Sequence, residues 1–172
     1  SVLGIRDGSP VVPSQANPAE RDVSPKADRE GYPTIEVRVA DVCLDPVVTV
    51  LLATLIRGLV ETTAREWRAG EPPAEFRTTL LRMAAWRASR SGLDDRLLHP
   101  LTMHPEPAET VARALLAHVR GALEESSDLK AAEDALDSLL TAGNGACVQR
   151  DLMQRTGNLR ATVTECVRRT RG

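Results

Sequence analysis

Glu36 and Arg38 set a carboxylate and a guanidinium two residues apart in a run that alternates between apolar and polar side chains. A strand turns successive side chains to opposite faces, so this spacing puts both groups on one face and aims them at one space. Such a pair suits a nucleotide triphosphate: carboxylate oxygens hold Mg²⁺, while a planar guanidinium grips phosphate oxygens through paired N–H groups. Exposed strand faces also carry opposite charges merely for solubility, and spacing alone leaves both readings open. A second polar group, Asn144, Gln149 and Arg150, falls where the turn Gly143-Asn144-Gly145 meets the start of a helical pattern. Helix starts carry unbonded N–H groups that suit anions. An ordinary helix–helix turn is the plainer alternative.

Other reactive side chains have bland readings. Arg82, Trp86 and Arg90 recur at helical spacing and could stack guanidinium on indole, or pin a helix against a sheet. His99 and His104 sit in a proline-rich loop and His118 on an apolar helical stripe, so a histidine metal site needs distant parts to converge. Ser126, Ser127 and the three cysteines have no nearby base to make a nucleophile. Arg168, Arg169 and Arg171 crowd a last helical turn, where cations offset the helix dipole.

The elements that position these groups follow from periodicity. Residues 34–39 form a strand with Ile35, Val37 and Val39 on the face opposite Glu36 and Arg38, buried against the helix that follows. Asp45 and Pro46 open that helix, which runs to Gly70 with Val48, Leu51, Leu52, Leu55, Leu59 and Val60 inward and Arg57, Glu61 and Arg65 as an outer ladder. A second helix starts near Pro73, puts Phe76, Leu80 and Met83 on one face, and ends before Gly92. Residues 94–107 are a loop or short hairpin. Pro107 opens a third helix stacking Val111, Leu115, His118 and Ala122, ending near Ser126; Asp128 caps a fourth to Gly143. Two shorter helices follow, about 146–155 and, capped by Asn158, about 159–171. Residues 1–31, with Pro10, Pro13, Pro18 and Pro25, read as an irregular or poorly ordered lead-in.

Composition bounds the partners. A chain of 172 residues with 42% apolar content can bury a core of one domain, and 2% aromatics leaves that core to Leu, Val and Ala, which favours helices. A net charge of −2 offers no broad basic field for nucleic acid or an anionic membrane. The apolar run at residues 47–56, stopped by Arg57, falls short of the roughly 20 residues of a membrane helix. No signal leader is legible, so the cytoplasm is expected. Cys43, Cys147 and Cys166 form no CxxC pair and read as free thiols.

Three stretches, in order, resemble one family. Tyr-Pro-Thr-Ile-Glu-Val-Arg-Val-Ala-Asp-Val-Cys at residues 32–43 is similar to the signature of the bacterial carboxylate–amine ligases, the second glutamate–cysteine ligase group. Ala85-Trp86-Arg87-Ala88-Ser89-Arg90-Ser91-Gly92 resembles that family's Trp-Arg-Ala-x-Arg-x-Gly helix end. Gly143-Asn144-Gly145-Ala146-Cys147-Val148-Gln149-Arg150 resembles its late Gly-x-Gly-Ala-x-x-Gln-Arg motif. The resemblance covers about residues 22–171 and implies the C-terminal portion of a protein about twice as long.

It further implies an α+β chain, mostly helical with one or a few antiparallel strands, forming part of a fold similar to the catalytic half of glutamine synthetase. There a curved antiparallel sheet holds ATP and divalent metal on its concave face. The implied reaction moves the ATP γ-phosphate to a carboxylate, usually that of glutamate, and an amine, cysteine or another amino compound, then displaces phosphate from the acyl phosphate. In that setting Glu36 binds Mg²⁺, Arg38 is the catalytic phosphate-binding residue, and Asn144, Gln149 and Arg150 are nucleotide contacts. The expected division is residues 1–31 as lead-in and 32–172 as the C-terminal part of the catalytic domain. Expected partners are the carboxylate and amine substrates and the missing N-terminal portion of the same protein, with a homodimer by analogy.

Two departures stand out. The family's Gly-x-Glu-x-Glu strand, a source of further metal carboxylates, has no counterpart here, and Cys147 stands where relatives often carry a basic residue. The alternative to a ligase portion is a noncatalytic helical interaction module or a degenerate relative.

Overall fold

The structure is a computed structural model that describes residues 25–27, 33–35, 37, 39–73 and 75–171. The chain divides into two compact units, residues 1–41 and 42–172.

In the first unit, β1 (Pro25–Ala27) pairs antiparallel with β2 (Pro33–Ile35), placing Pro25 opposite Ile35, Lys26 opposite Thr34 and Ala27 opposite Pro33. Residues 25–27 thus form a strand inside the stretch expected to be irregular. Three residues that open on proline show no alternation, and proline is admitted because a two-stranded ribbon has open edges. The strand expected over residues 34–39 ends, among the described residues, at Ile35, because a ladder extends only as far as its partner; Val37, Val39 and Ala40 lie outside it. Ile35 and Val39, expected on a buried face, are 41% and 42% exposed. Glu36 and Arg38 lie outside the described residues.

The second unit is built on α1 (Pro46–Arg68), which starts as its sequence dictates: the Asp45 carboxylate accepts the Val47 N–H at 2.8 Å, and Pro46 takes the first turn. The apolar run at 47–56 is therefore part of one longer helix. By length and composition, α1 is the one helix among the described residues long and apolar enough to cross a membrane. Its Leu51, Leu55 and Gly58, however, are buried where α1 packs against α3 (Ala108–Glu125) and α4 (Leu129–Ala142), as in a core helix.

These three helices share one apolar cluster: Leu51 and Leu55, Leu116, Val119 and Leu123, and Ala132 and Leu136. Burying each of its leucines contributes about 1.5–3 kcal/mol. The buried stripe on α3 runs through Leu116, Val119 and Leu123; of the residues expected inward, Ala122 is buried and Leu115 packs half-buried against the same cluster. His118 consequently sits at the rim, 3.9 Å from Glu66, and not on the apolar face.

The charged ladder of α1 does not simply face solvent. Arg65 bonds Glu61 at 2.8 Å and clasps both oxygens of Glu125 at 2.5 and 2.7 Å. Arg57 pairs with Asp128 at the corner between α3 and α4. Asp128, expected to cap α4, makes no capping bond. The Ser126 hydroxyl and the Arg57 guanidinium instead hold its carboxyl below the usual carboxylate range.

Helix α2 (Thr78–Ser91) begins later than the expected start near Pro73; Arg77 takes the cap position with extended backbone and makes no side-chain capping bond. No α2 residue is buried, and Met83, expected inward, is 60% exposed. The proline-rich segment is the hairpin allowed for it: β3 (Arg96–Leu98) pairs with β4 (Pro105–Pro107) and packs against α2 and α3. The chain closes with α5 (Gly145–Thr156) and α6 (Leu159–Arg171), which pack on each other. Asn158 caps α6 as expected, its side-chain oxygen accepting the Arg160 N–H at 2.9 Å. The result is α+β and mostly helical, with two antiparallel strand pairs among the described residues.

Two glycines in helix interiors should behave oppositely. A Cβ at Gly58 would lie 3.0 Å from Val119 Cβ, whereas at Gly121 it would meet nothing within 4 Å. Gly121→Ala should raise the unfolding free energy by about 0.5–1 kcal/mol through helix propensity. Gly58→Ala should lower it, since overpacking of about 1–3 kcal/mol exceeds that gain; urea unfolding of both variants reads the sign.

On α6, Arg168 and Arg169 donate to Glu165 at 2.8 and 2.9 Å and pull its carboxyl from the ordinary 4.5 down to about 2. A depressed carboxylate stabilises the fold above its unfolded value. Its contribution should therefore be complete above pH 4.5 and fade as pH falls through about 2. Carbon-13 titration of the Glu165 carboxyl checks this, and Glu165→Gln should remove the acid-dependent loss in that window.

Candidate functional site

The end of α2 and the start of α5 meet at a polar joint. Gly92, which closes α2, adopts φ 56° and ψ −126°, a conformation open to glycine. A Cβ there would stand 2.4 Å from Asn144 Nδ2. Asn144 is fixed in turn by capping α5: its Oδ1 accepts the Cys147 N–H at 3.0 Å. Leu44 lies beneath Gly145.

Asp94 closes the joint. Its Oδ2 accepts from Arg150 Nη2 at 2.8 Å, and its Oδ1 accepts from the Cys147 thiol at 3.2 Å. The same Arg150 nitrogen lies 3.3 Å from Cys147 Sγ. A carboxylate, a thiol and a guanidinium thus surround the first turn of α5, where free backbone N–H groups add partial positive charge.

Neighbouring Asp95 turns the other way. It accepts from Ser91 Oγ at 3.3 Å and Arg87 Nη2 at 3.4 Å, and Arg87 Nε reaches the Arg96 carbonyl. The Arg96 backbone N–H, with Arg87 and Ser91 behind it, holds the Asp95 carboxyl below its usual range. Arg87 is therefore engaged in fastening the hairpin to α2.

Of the residues singled out from sequence, Asn144 and Arg150 come together at this joint. Gln149 instead lines an open groove of about 420 Å³ between α5 and α6, with Leu159, Val163 and Cys166. Glu36 and Arg38 are outside the described residues. Among the described residues no three His, Cys, Asp or Glu side chains converge as a metal site. His99 Nδ1 accepts the Leu101 N–H at 3.2 Å inside its own turn. Trp86 is 65% exposed, which does not fit an indole pinned beneath a sheet. Asp94 was not singled out. Its only signal was its place two residues after the helix-ending glycine, and the partner that gives it meaning lies 56 positions away.

With that geometry in place, comparison identifies the class. The profile of glutamate-cysteine ligase family 2 matches residues 21–165. A protein of Streptomyces avermitilis provisionally named glutamate–cysteine ligase 2-1 is 59% identical over 141 residues, covering 82% of this chain and 39% of that protein. A similarly named protein of Streptomyces coelicolor is 58% identical over 139 residues, 81% of this chain and 38% of its own length. One from Paenarthrobacter aurescens is 46% identical over 140 residues, 81% and 36%. The chain belongs to glutamate-cysteine ligase family 2. It spans about two fifths of the length of these curated relatives. No solved structure matches it.

Gly92→Ala should strain the joint, because an L-residue at this φ and ψ costs about 1–3 kcal/mol and its Cβ displaces the capping Asn144. Hydrogen exchange should show loss of protection at the Cys147 amide, with the α1–α3 core unchanged.

Proposed function

We propose that this chain supplies one wall of an ATP-dependent ligase that joins a carboxylate, glutamate in the first instance, to an amine such as cysteine through an acyl phosphate. Family membership points to ligase chemistry, and one structural observation supports a shared site: the family-like stretches around Gly92 and Asn144 meet at the Asp94 joint.

In this reading Arg38 binds the ATP phosphates and neutralises charge as the phosphoryl group departs, and Glu36 is a Mg²⁺ ligand. Asn144 and Arg150 are anion contacts of the ligase in this reading, whereas Gln149 lies in the groove between α5 and α6. Mg²⁺ favours near-octahedral oxygen coordination from one or two carboxylates plus phosphate oxygens and water, and a lone Glu36 fits as one contributor to such a set. When bound, the ion would screen the charge of the phosphates. The remaining carboxylates would come from the portion of the relatives that has no counterpart here, and the whole would take the glutamine-synthetase-like form in the cytoplasm.

The test uses the complete ligase that carries this chain. Arg38→Ala should lower kcat by about 100- to 1,000-fold, a typical cost of one preorganised charged group, with folding little changed. Glu36→Ala should show partly as a raised Mg²⁺ requirement, since excess metal offsets weaker binding. Activity within a few-fold of wild type in both variants would sink the assignment. The 172-residue chain alone should form no amide from glutamate in the presence of Mg²⁺-ATP.

A further inference from the structure

We infer that Asp94 is a positioning residue: it holds the Arg150 guanidinium by one corner so that the remaining N–H groups are presented to an oxyanion, a phosphate or a carboxylate. The identity of that oxyanion rests on the ligase reading; the positioning does not.

Arg150 is bonded through Nη2 alone, to Asp94 at 2.8 Å and to Cys147 Sγ at 3.3 Å. Its Nε and Nη1, which carry three of the five guanidinium N–H donors, have no partner among the described residues, and the side chain is 59% exposed. Such an exposed pair adds little to stability. What it does is hold in one orientation a long side chain that would otherwise sample many. The Cys147 thiol occupies the other Asp94 oxygen, at 3.2 Å. The turn at Gly92 and the capping of α5 by Asn144 set the spacing between the bend that bears Asp94 and the helix that bears Arg150.

Two effects of Asp94 on an arriving anion oppose each other. Its negative charge repels the anion, so if that were its whole influence, removing it would tighten binding. Holding the guanidinium ready spares the anion the cost of immobilising a rotamer-rich side chain, an advantage of about 2- to 10-fold in affinity. The sign of the change on removing Asp94 therefore separates a positioning residue from a bystander charge.

The experiment is a titration of the nitrogen-15-labelled 172-residue chain, following the Arg150 Nε–Hε resonance, which is assigned by its loss in Arg150→Lys. Inorganic phosphate and glutamate are added separately. At least one should shift that resonance saturably. A response to phosphate assigns the nucleotide end of the site, and a response to glutamate assigns the carboxylate substrate. Asp94→Ala should weaken the same binding by about 2- to 10-fold. Asp94→Asn, which keeps the shape and one acceptor, should fall between, and the amide resonances of α1 and α3 confirm that each variant is folded. Equal or tighter binding in Asp94→Ala, or no response of Arg150 to either anion, would overturn the proposal. A failed ligase assay would remove the proposed function but leave this titration's outcome to stand on its own.

Discussion

The closeness with which α1 and α3 cross governs the helical unit. At Gly58 the absent side chain lets Val119 and Leu123 of α3 lie directly on the backbone of α1, and both are fully buried there. Dense packing leaves no slack at such a point, so the position of α3 relative to α1 has essentially one value. The β3–β4 hairpin leans on α3 and α2 leans on the hairpin, so the end of α2, with Gly92 and Asp94, inherits its place from that crossing. The ion pairs of Arg57 and Arg65 fasten the far corner of the same assembly. Being half-exposed, they contribute geometry more than energy.

Adjacent aspartates with opposite assignments show how the polar joint is made. Asp95 faces back to Ser91 and Arg87 and closes the hairpin on α2, while Asp94 faces forward to Cys147 and Arg150 and closes α2 on α5. Consecutive side chains at a turn leave the backbone in different directions, so a single dipeptide can serve two elements. Cys147 fills its place at the joint, because the thiol donates to the Asp94 carboxylate.

What was legible in the sequence was local. Asp45-Pro46 and Asn158 marked their helix starts because a cap is a contact between residues two or three apart, and Pro107 announced α3 through its fixed φ, with no capping bond. Asp128 holds the cap position of α4 as read, but its side chain makes no capping bond, because a guanidinium 71 positions away binds its carboxylate. The core stripe of α3 takes in Leu116, Val119 and Leu123 beside the expected Leu115 and Ala122 and leaves out His118, because an 18-residue helix rich in alanine and leucine supports two neighbouring faces, and only the partner helix chooses between them. Residues 25–27 were illegible for a like reason, as a three-residue strand exists only through its pairing. Of the candidate site, Asn144 and Arg150 could be suspected from a glycine turn at a helix start. Asp94 could not, since its role depends on a contact across the fold. The family-like motifs carried more than periodicity did, and the profile match over residues 21–165 agrees with them.

The buried residues of α5 and α6, Leu152 and Thr162, lie outside the cluster shared by α1, α3 and α4. A hairpin with its own small nucleus, fastened to its neighbours at Leu44 and at a solvent-accessible carboxylate, opens at a lower free energy than the body it rests on. Its detachment would separate Arg150 from Asp94 while the three-helix core stayed intact. Heating would then abolish the geometry of the joint before the melting transition of the whole, so the release of Arg150 and the unfolding of the core would be distinct events.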